Sequence, residues 1–240
     1  MQQRLPSLLP DPILFAHRGA RAHAPDNTLE AFELARRLGA SGLESDVWIT
    51  ADGIAVLDHD GEIRSGWFRK RPIAEMHRSE LPEHIPSLLE LLDRCGTDID
   101  LSLDLKDDHA GPNVIETVRL HHPDLLGRLW LCHHDLGHLV ALRPLDADVK
   151  LVESTRLHRI DGGPERRAAV LAEHGIDAIN LRGPDWTGGL VTLFHRFERI
   201  AFGWDLQQDH QLDTGLRMGL DGVYSDHVDR MSDALGRLRA

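Results

Sequence analysis

Ile13-Leu14-Phe15-Ala16-His17-Arg18-Gly19 is apolar for four residues and turns polar at His17 and Arg18. Such a run reads as a short buried strand that carries its chemistry at the C-terminal end. A second strand is expected over 43–50, with Glu44-Ser45-Asp46 inside it, and His59-Asp60 follows soon after. Residues two apart on a strand share a face, roughly 6–7 Å apart at Cα, so Glu44 and Asp46 point the same way. Two carboxylates on one inward face repel each other unless a proton or a cation lies between them. A hard divalent metal with oxygen ligands is the simplest remedy.

Strand-like and helix-like segments alternate along the rest of the chain. Apolar residues at Leu29, Ala31, Phe32, Leu34, Ala35 and Leu38 have helical spacing, which places a helix over 27–38. Asp26 or Asn27 can cap it, and Gly39 ends it. Ala51-Asp52-Gly53 reads as a hairpin-type turn into a short strand over 54–57. A helix is expected over 85–93, and a strand over 99–106 that ends in Asp104 and Lys106. Five further strands are expected over 129–132, 149–152, 178–181, 200–203 and 222–224. Helical patterns separate them over 114–120, 136–142, 165–174, 187–197 and 208–218, and a last one covers 228–238.

Eight such strands and about as many helices in 240 residues approach the ~250 typical of a (β/α)8 barrel. A doubly wound open sheet is the runner-up, but it usually carries a Gly-rich turn after its first strand, and none is present here. In a barrel the active site lies at the C-terminal strand ends. His17, Arg18, Glu44, Asp46, His59, Asp104 and Lys106 would then cluster on one rim. Taken singly, each fits an ordinary turn or a solvated face. A barrel turns those faces inward, where unpaired charges are costly.

The bulk numbers narrow the partners. Hydrophobic content of 41% and charged content of 28% are ordinary for a globular chain. A net charge of −12 argues against nucleic acid and anionic membranes, which select a basic face. No apolar run approaches about 18 residues, so no stable membrane insertion is expected. Leu5, Leu8 and Leu9 are interrupted by Pro6 and Pro10 and do not form a signal-peptide core, which points to the cytoplasm. Cys95 and Cys132 read as reduced core residues. Most of the 16 histidines read as surface residues. Residues 1–11 are expected to be an N-terminal extension and 12–240 a single barrel domain. Oligomeric state is not readable.

The motifs also carry a family resemblance. Phe15-Ala16-His17-Arg18-Gly19, Pro25-Asp26-Asn27-Thr28-Leu29-Glu30-Ala31-Phe32, Leu43-Glu44-Ser45-Asp46-Val47 and Asp58-His59-Asp60 resemble the glycerophosphodiester phosphodiesterase family. So do Asp104-Leu105-Lys106, Phe202-Gly203-Trp204 and Gly219-Leu220-Asp221-Gly222-Val223-Tyr224-Ser225-Asp226. The resemblance implies a (β/α)8 barrel that hydrolyses a small-molecule phosphodiester to glycerol 3-phosphate and an alcohol, with one divalent cation, Ca2+ or Mg2+. It implies Glu44, Asp46 and Asp104 as metal ligands and His17 and His59 as general base and acid. Arg18 and Lys106 would hold the phosphoryl oxygens. Trp204, ending the seventh strand, fits packing against substrate carbons and a core role equally.

Asp26 and Asp104 stand where the family usually has Glu, which shortens each reach by one methylene. His133-His134 at the end of the fourth barrel strand also departs from the pattern, and solvent exposure is its expected state. Family members often insert a capping subdomain after the position of Asp60. Here only a short connection is expected, with Arg64, Trp67 and Phe68 nearest an open pocket. Two alternatives stay open: a phospholipase D-type activity on lysophospholipids, which needs an apolar groove, and a barrel that binds a phosphorylated ligand without turnover.

Overall fold

The computed structural model describes residues 4–65 and 69–239. Its strands are β1 (Ile13–His17), β2 (Gly42–Ile49), β3 (Ala55–Leu57), β4 (Glu62–Ser65), β5 (Arg69–Pro72), β6 (Asp100–Leu105), β7 (Leu129–His133), β8 (Lys150–Ser154), β9 (Ala178–Arg182), β10 (Ile200–Trp204) and β11 (Gly222–Ser225). The helices are α1 (Leu29–Arg37), α2 (Leu88–Cys95), α3 (Ala110–His121), α4 (Leu136–Leu142), α5 (Pro164–Glu173), α6 (Gly188–Arg196), α7 (Asp209–Arg217) and α8 (Val228–Arg239). Eight parallel strands close in the order β1-β2-β6-β7-β8-β9-β10-β11, and β11 pairs back onto β1. This is the expected (β/α)8 barrel. Among the described residues, no helix is long and apolar enough to cross a membrane.

Strand register decides where the polar residues go. His17 pairs with Glu44, Glu44 with Ser102, and Asp46 with Asp104. Side chains of one parity therefore share the barrel interior at neighbouring levels. Just below them, Phe15 stacks on Tyr224 at 4.5 Å between ring centroids, and Trp130 meets Phe202 edge-on at 5.0 Å. This aromatic layer fills the barrel, so open space is confined to the C-terminal mouth. Gly42 makes room for it: a Cβ there would lie 2.5 Å from Phe15 Cδ1. The helices cover the outside. In α2, Leu88, Leu91, Leu92 and Cys95 are all buried, the apolar stripe of a core-facing helix. Ser87 caps that helix through a reciprocal pairing with Glu90. Cys95 and Cys132 are both free and buried, as expected.

Two local expectations are corrected. Thr28, not Asp26 or Asn27, caps α1, its hydroxyl accepting from the Ala31 amide. Asn27 is instead buried with φ +54°, and its side-chain oxygen accepts from Ser45 Oγ at 2.7 Å. The segment after Asp60 is more than a plain connection, because β4 and β5 pair as an antiparallel two-stranded sheet. Trp67 and Phe68 lie outside the described residues.

Candidate active site

A cavity of about 430 Å³ opens at the barrel mouth. Of the residues singled out from the sequence, His17, Arg18, Glu44, Asp46, Asp104, Lys106 and Trp204 all line it. His17, Glu44, Asp46, Asp104 and Trp204 come from β1, β2, β6 and β10, whose inward faces end at the same rim, and Arg18 and Lys106 directly follow β1 and β6.

His17 closes β1. Its Nδ1 lies 2.6 Å from Asp226 Oδ1, and its Nε2 lies 4.0 Å from Glu44 Oε2. Burial pulls the His17 pKa down, but Glu44 and the Asp226 hydrogen bond outweigh it and the net shift is upward. Glu44 is buried and accepts a hydrogen bond from the Arg18 amide at 3.0 Å. Burial, reinforced by Asp46 and Asp104, pushes its carboxyl up to about 7, against the opposing pull of His17.

Lys106 holds the two flanking carboxylates together. Its Nζ lies 2.9 Å from Asp46 Oδ1 and 2.5 Å from Asp104 Oδ2. Burial works against that ammonium, yet Asp104 and Asp46 raise its pKa. Arg18 Nε is 3.2 Å from Asp46 Oδ2, but the approach is poorly aligned, and neither atom has a hydrogen-bond partner although both are buried. Arg18 itself has φ +54°, a strained value for a residue with a side chain, and Gly19 follows at +80°. That turn swings the guanidinium back over the barrel mouth.

The carboxylate set fits a hard cation. Asp46 Oδ2 is a buried, unpartnered oxygen, and Glu44 beside it is forced towards its neutral form. Both are the signs of charge awaiting compensation. The Arg18 guanidinium beside Asp46 and the Lys106 ammonium between Asp46 and Asp104 supply part of it.

His59 is placed differently. It sits beyond β3 with its side chain 47% exposed and Nδ1 2.8 Å from Asp60 Oδ1, and it does not line the cavity. The base of its loop is tied to β2, where the Asp58 amide donates to the Asp46 carbonyl at 3.1 Å. Trp204 is half-buried, with the Arg156 guanidinium 5.1 Å over its ring. His133 is half-buried with its ring tilted against those of His134 and His138, His134 is exposed, and neither lines the cavity. Arg64 is exposed and also lies off it.

Several lining residues had no role assigned from sequence: Arg21, Asn180, Asp205, Gln207 and Asp226. Asp226 matters most, and its signal was the Ser225-Asp226 end of the last barrel strand.

The glycerophosphoryl diester phosphodiesterase family model matches residues 17–92, the stretch that contains His17, Glu44, Asp46 and His59. A glycerophosphodiester phosphodiesterase of Bacillus altitudinis is 25% identical over 238 residues, covering 90% of this chain and 95% of that one. This chain is similar to the glycerophosphodiester phosphodiesterase family. Solved structures agree on the fold. The family enzyme of Thermotoga maritima superposes with a TM-score of 0.78 at 24% identity, over 92% of this chain and 97% of that one. An Oleispira antarctica phosphodiesterase, solved with its product sn-glycerol-3-phosphate, gives 0.81 at 22% identity over 94% and 97%.

Proposed function

We propose that the barrel mouth hydrolyses glycerophosphodiesters to glycerol 3-phosphate and an alcohol, using one divalent cation and two histidines. The observation that carries this reading is His17, whose Nδ1 is held by Asp226 beside a buried carboxylate set that needs a cation. Glu44, Asp46 and Asp104 would hold that cation, Ca2+ or Mg2+ by their all-oxygen chemistry. Bound there, it offsets charge on a phosphoryl oxygen.

The residues of this chain do the rest. With Nδ1 committed to Asp226, His17 Nε2 is free to take the proton of the glycerol 2-hydroxyl as its oxygen bonds to phosphorus. His59 gives a proton to the departing alcohol as its P–O bond breaks. The exposed position of His59 asks its loop to close over a bound ester, as apo acid–base contacts commonly tighten on binding. Water then opens the cyclic phosphate, its proton passing to His59 while His17 returns one to the 2-hydroxyl. Arg18 and Lys106 hold the phosphoryl oxygens by charge-assisted hydrogen bonds. Trp204 offers the carbons of the substrate an apolar wall.

Similarity to the family and the product complex of the Oleispira antarctica neighbour support this reading. One observation favours lysophospholipids as a second substrate class. A recess of about 290 Å³ bordered by Pro184, Trp186, Leu206 and Met218 shares Asp205 with the main cavity and could take an acyl chain. A release assay over glycerophosphodiesters and lysophospholipids, with and without chelator, tests both. Turnover of the first group that stops with chelator supports the proposal, and turnover confined to lysophospholipids favours the second reading.

A further inference from the structure

His23, His227 and Asp229 lie outside the barrel-mouth cavity, and their donor atoms all fall within 4.8 Å of one another. No other trio of His, Cys, Asp or Glu donors is gathered so closely among the described residues. We propose that these three side chains form a second cation site, selective for a borderline transition metal such as Zn2+ and distinct from the site at the mouth. The inference does not depend on the reaction proposed above.

The fold brings the ligands together from two loops. His23 follows β1, His227 immediately precedes α8, and Asp229 lies in the first turn of that helix. The backbone ties the loops to each other, the Ala22 amide donating to the Asp226 carbonyl at 3.2 Å. His23 Nε2 stands 3.2 Å from Asp229 Oδ1. That spacing is close to the ligand–ligand edge of a tetrahedron with bonds of about 2.0–2.2 Å. The two imidazoles meet edge to face, at 85° and 6.3 Å between centroids, so small side-chain rotations can bring both nitrogens onto one ion. An ordinary surface ion pair accounts for His23 with Asp229. It does not account for the second imidazole, which meets the first edge to face and keeps a donor nitrogen within 4.8 Å of both other donors.

The donor set decides the metal class. Two imidazoles and one carboxylate suit Zn2+ and its neighbours, whereas Ca2+ and Mg2+ favour oxygen ligands throughout. Three protein ligands near the surface leave a fourth position to water. An ion held there would cross-link the loop carrying Arg21 and Asp26 to the loop carrying Asp226. The rim of the mouth would then be fixed from one side by metal.

Co2+ reports such a site through the intense visible absorption of its four-coordinate complexes. The full chain is titrated with Co2+ in excess Mg2+, which occupies the oxygen-rich mouth. The expected result is one equivalent of the visible chromophore, retained in Glu44→Gln. His23→Ala and His227→Ala should each weaken Co2+ binding more than about 100-fold, beyond the ~10–100-fold that loss of an outer-shell partner costs. Both positions are partly exposed, so the fold should survive either change. Absence of the chromophore, its survival in both histidine variants, or its loss in Glu44→Gln overturns the proposal. The last outcome would place the ion at the mouth.

Discussion

Nδ1 of His17 lies 2.6 Å from Oδ1 of Asp226, a pairing across 209 residues of chain that closes the barrel from its last strand to its first. The carboxylate holds the ring orientation and keeps the proton on Nδ1, which leaves Nε2 as the working nitrogen. Asp226→Asn should favour the wrong tautomer and lower kcat by about 10²-fold or more, within the ~10²–10⁴ worth of general acid–base catalysis. It should also move the His17 limb of the pH–rate profile to lower pH, because a pKa-raising partner is removed. Unchanged kcat in Asp226→Asn would remove Asp226 from the mechanism.

The two histidines should separate from the rest of the site. His17→Ala and His59→Ala should each lower kcat by ~10²–10⁴-fold and leave divalent-cation affinity nearly intact. Arg18→Ala should raise KM and lower kcat together, since its guanidinium would contact the phosphoryl oxygens throughout. Steady-state kinetics beside calorimetric metal titration gives both readouts. A near-normal kcat in His59→Ala would mean that its exposed position is its working position and that another group protonates the alcohol.

Stability without metal should fall as pH rises. The Glu44 carboxyl stands at about 7 in the fold against 4.5 ordinarily, so the folded chain binds this proton more tightly than the unfolded one. Its contribution is fully present below about pH 4.5 and is lost as pH rises towards and through 7. His17 is raised as well and acts in the same direction, its share being lost above its ordinary 6.5. For Glu44 the loss is bounded at about 3 kcal/mol. Melting temperatures in chelator should therefore be lower at pH 8 than at pH 5, and Ca2+ or Mg2+ should raise them more at pH 8. Melting that rises from pH 5 to pH 8 in chelator would contradict the Glu44 assignment.

Asp104 tests the fit of the cation. Asp104 Oδ2 already reaches Lys106 Nζ at 2.5 Å, and one more methylene would carry the carboxylate further over the mouth. Asp104→Glu should tighten divalent-cation binding in a calorimetric titration. A large loss of affinity would show that the mouth is built around the shorter side chain.

Much of this architecture was readable from residue pattern. Barrel strands such as Ile13–His17 and Leu129–His133 are apolar until their last residue, which marks both burial and the rim. Glu44, Asp46 and Asp104 were legible because strand parity and register put them on one inward face. Asp226 received no role, because the partner that gives it one, His17, lies 209 residues away in the chain. The pair β4 and β5 was missed because Glu62-Ile63-Arg64-Ser65 and Arg69-Lys70-Arg71-Pro72 lack two-residue apolar alternation. Thr28 capped α1 in place of Asn27 because Asn27 was already turned inward to Ser45, a tertiary contact that outweighs a local capping preference.

Phosphorus NMR of glycerophosphocholine turnover tests the central claim most directly, because it reads which P–O bond is cut. With Mg2+ or Ca2+ present, all the product phosphorus should appear as glycerol 3-phosphate beside free choline, and turnover should stop when chelator is added. Phosphocholine and glycerol as products, or turnover that is undiminished in chelator, would contradict the account.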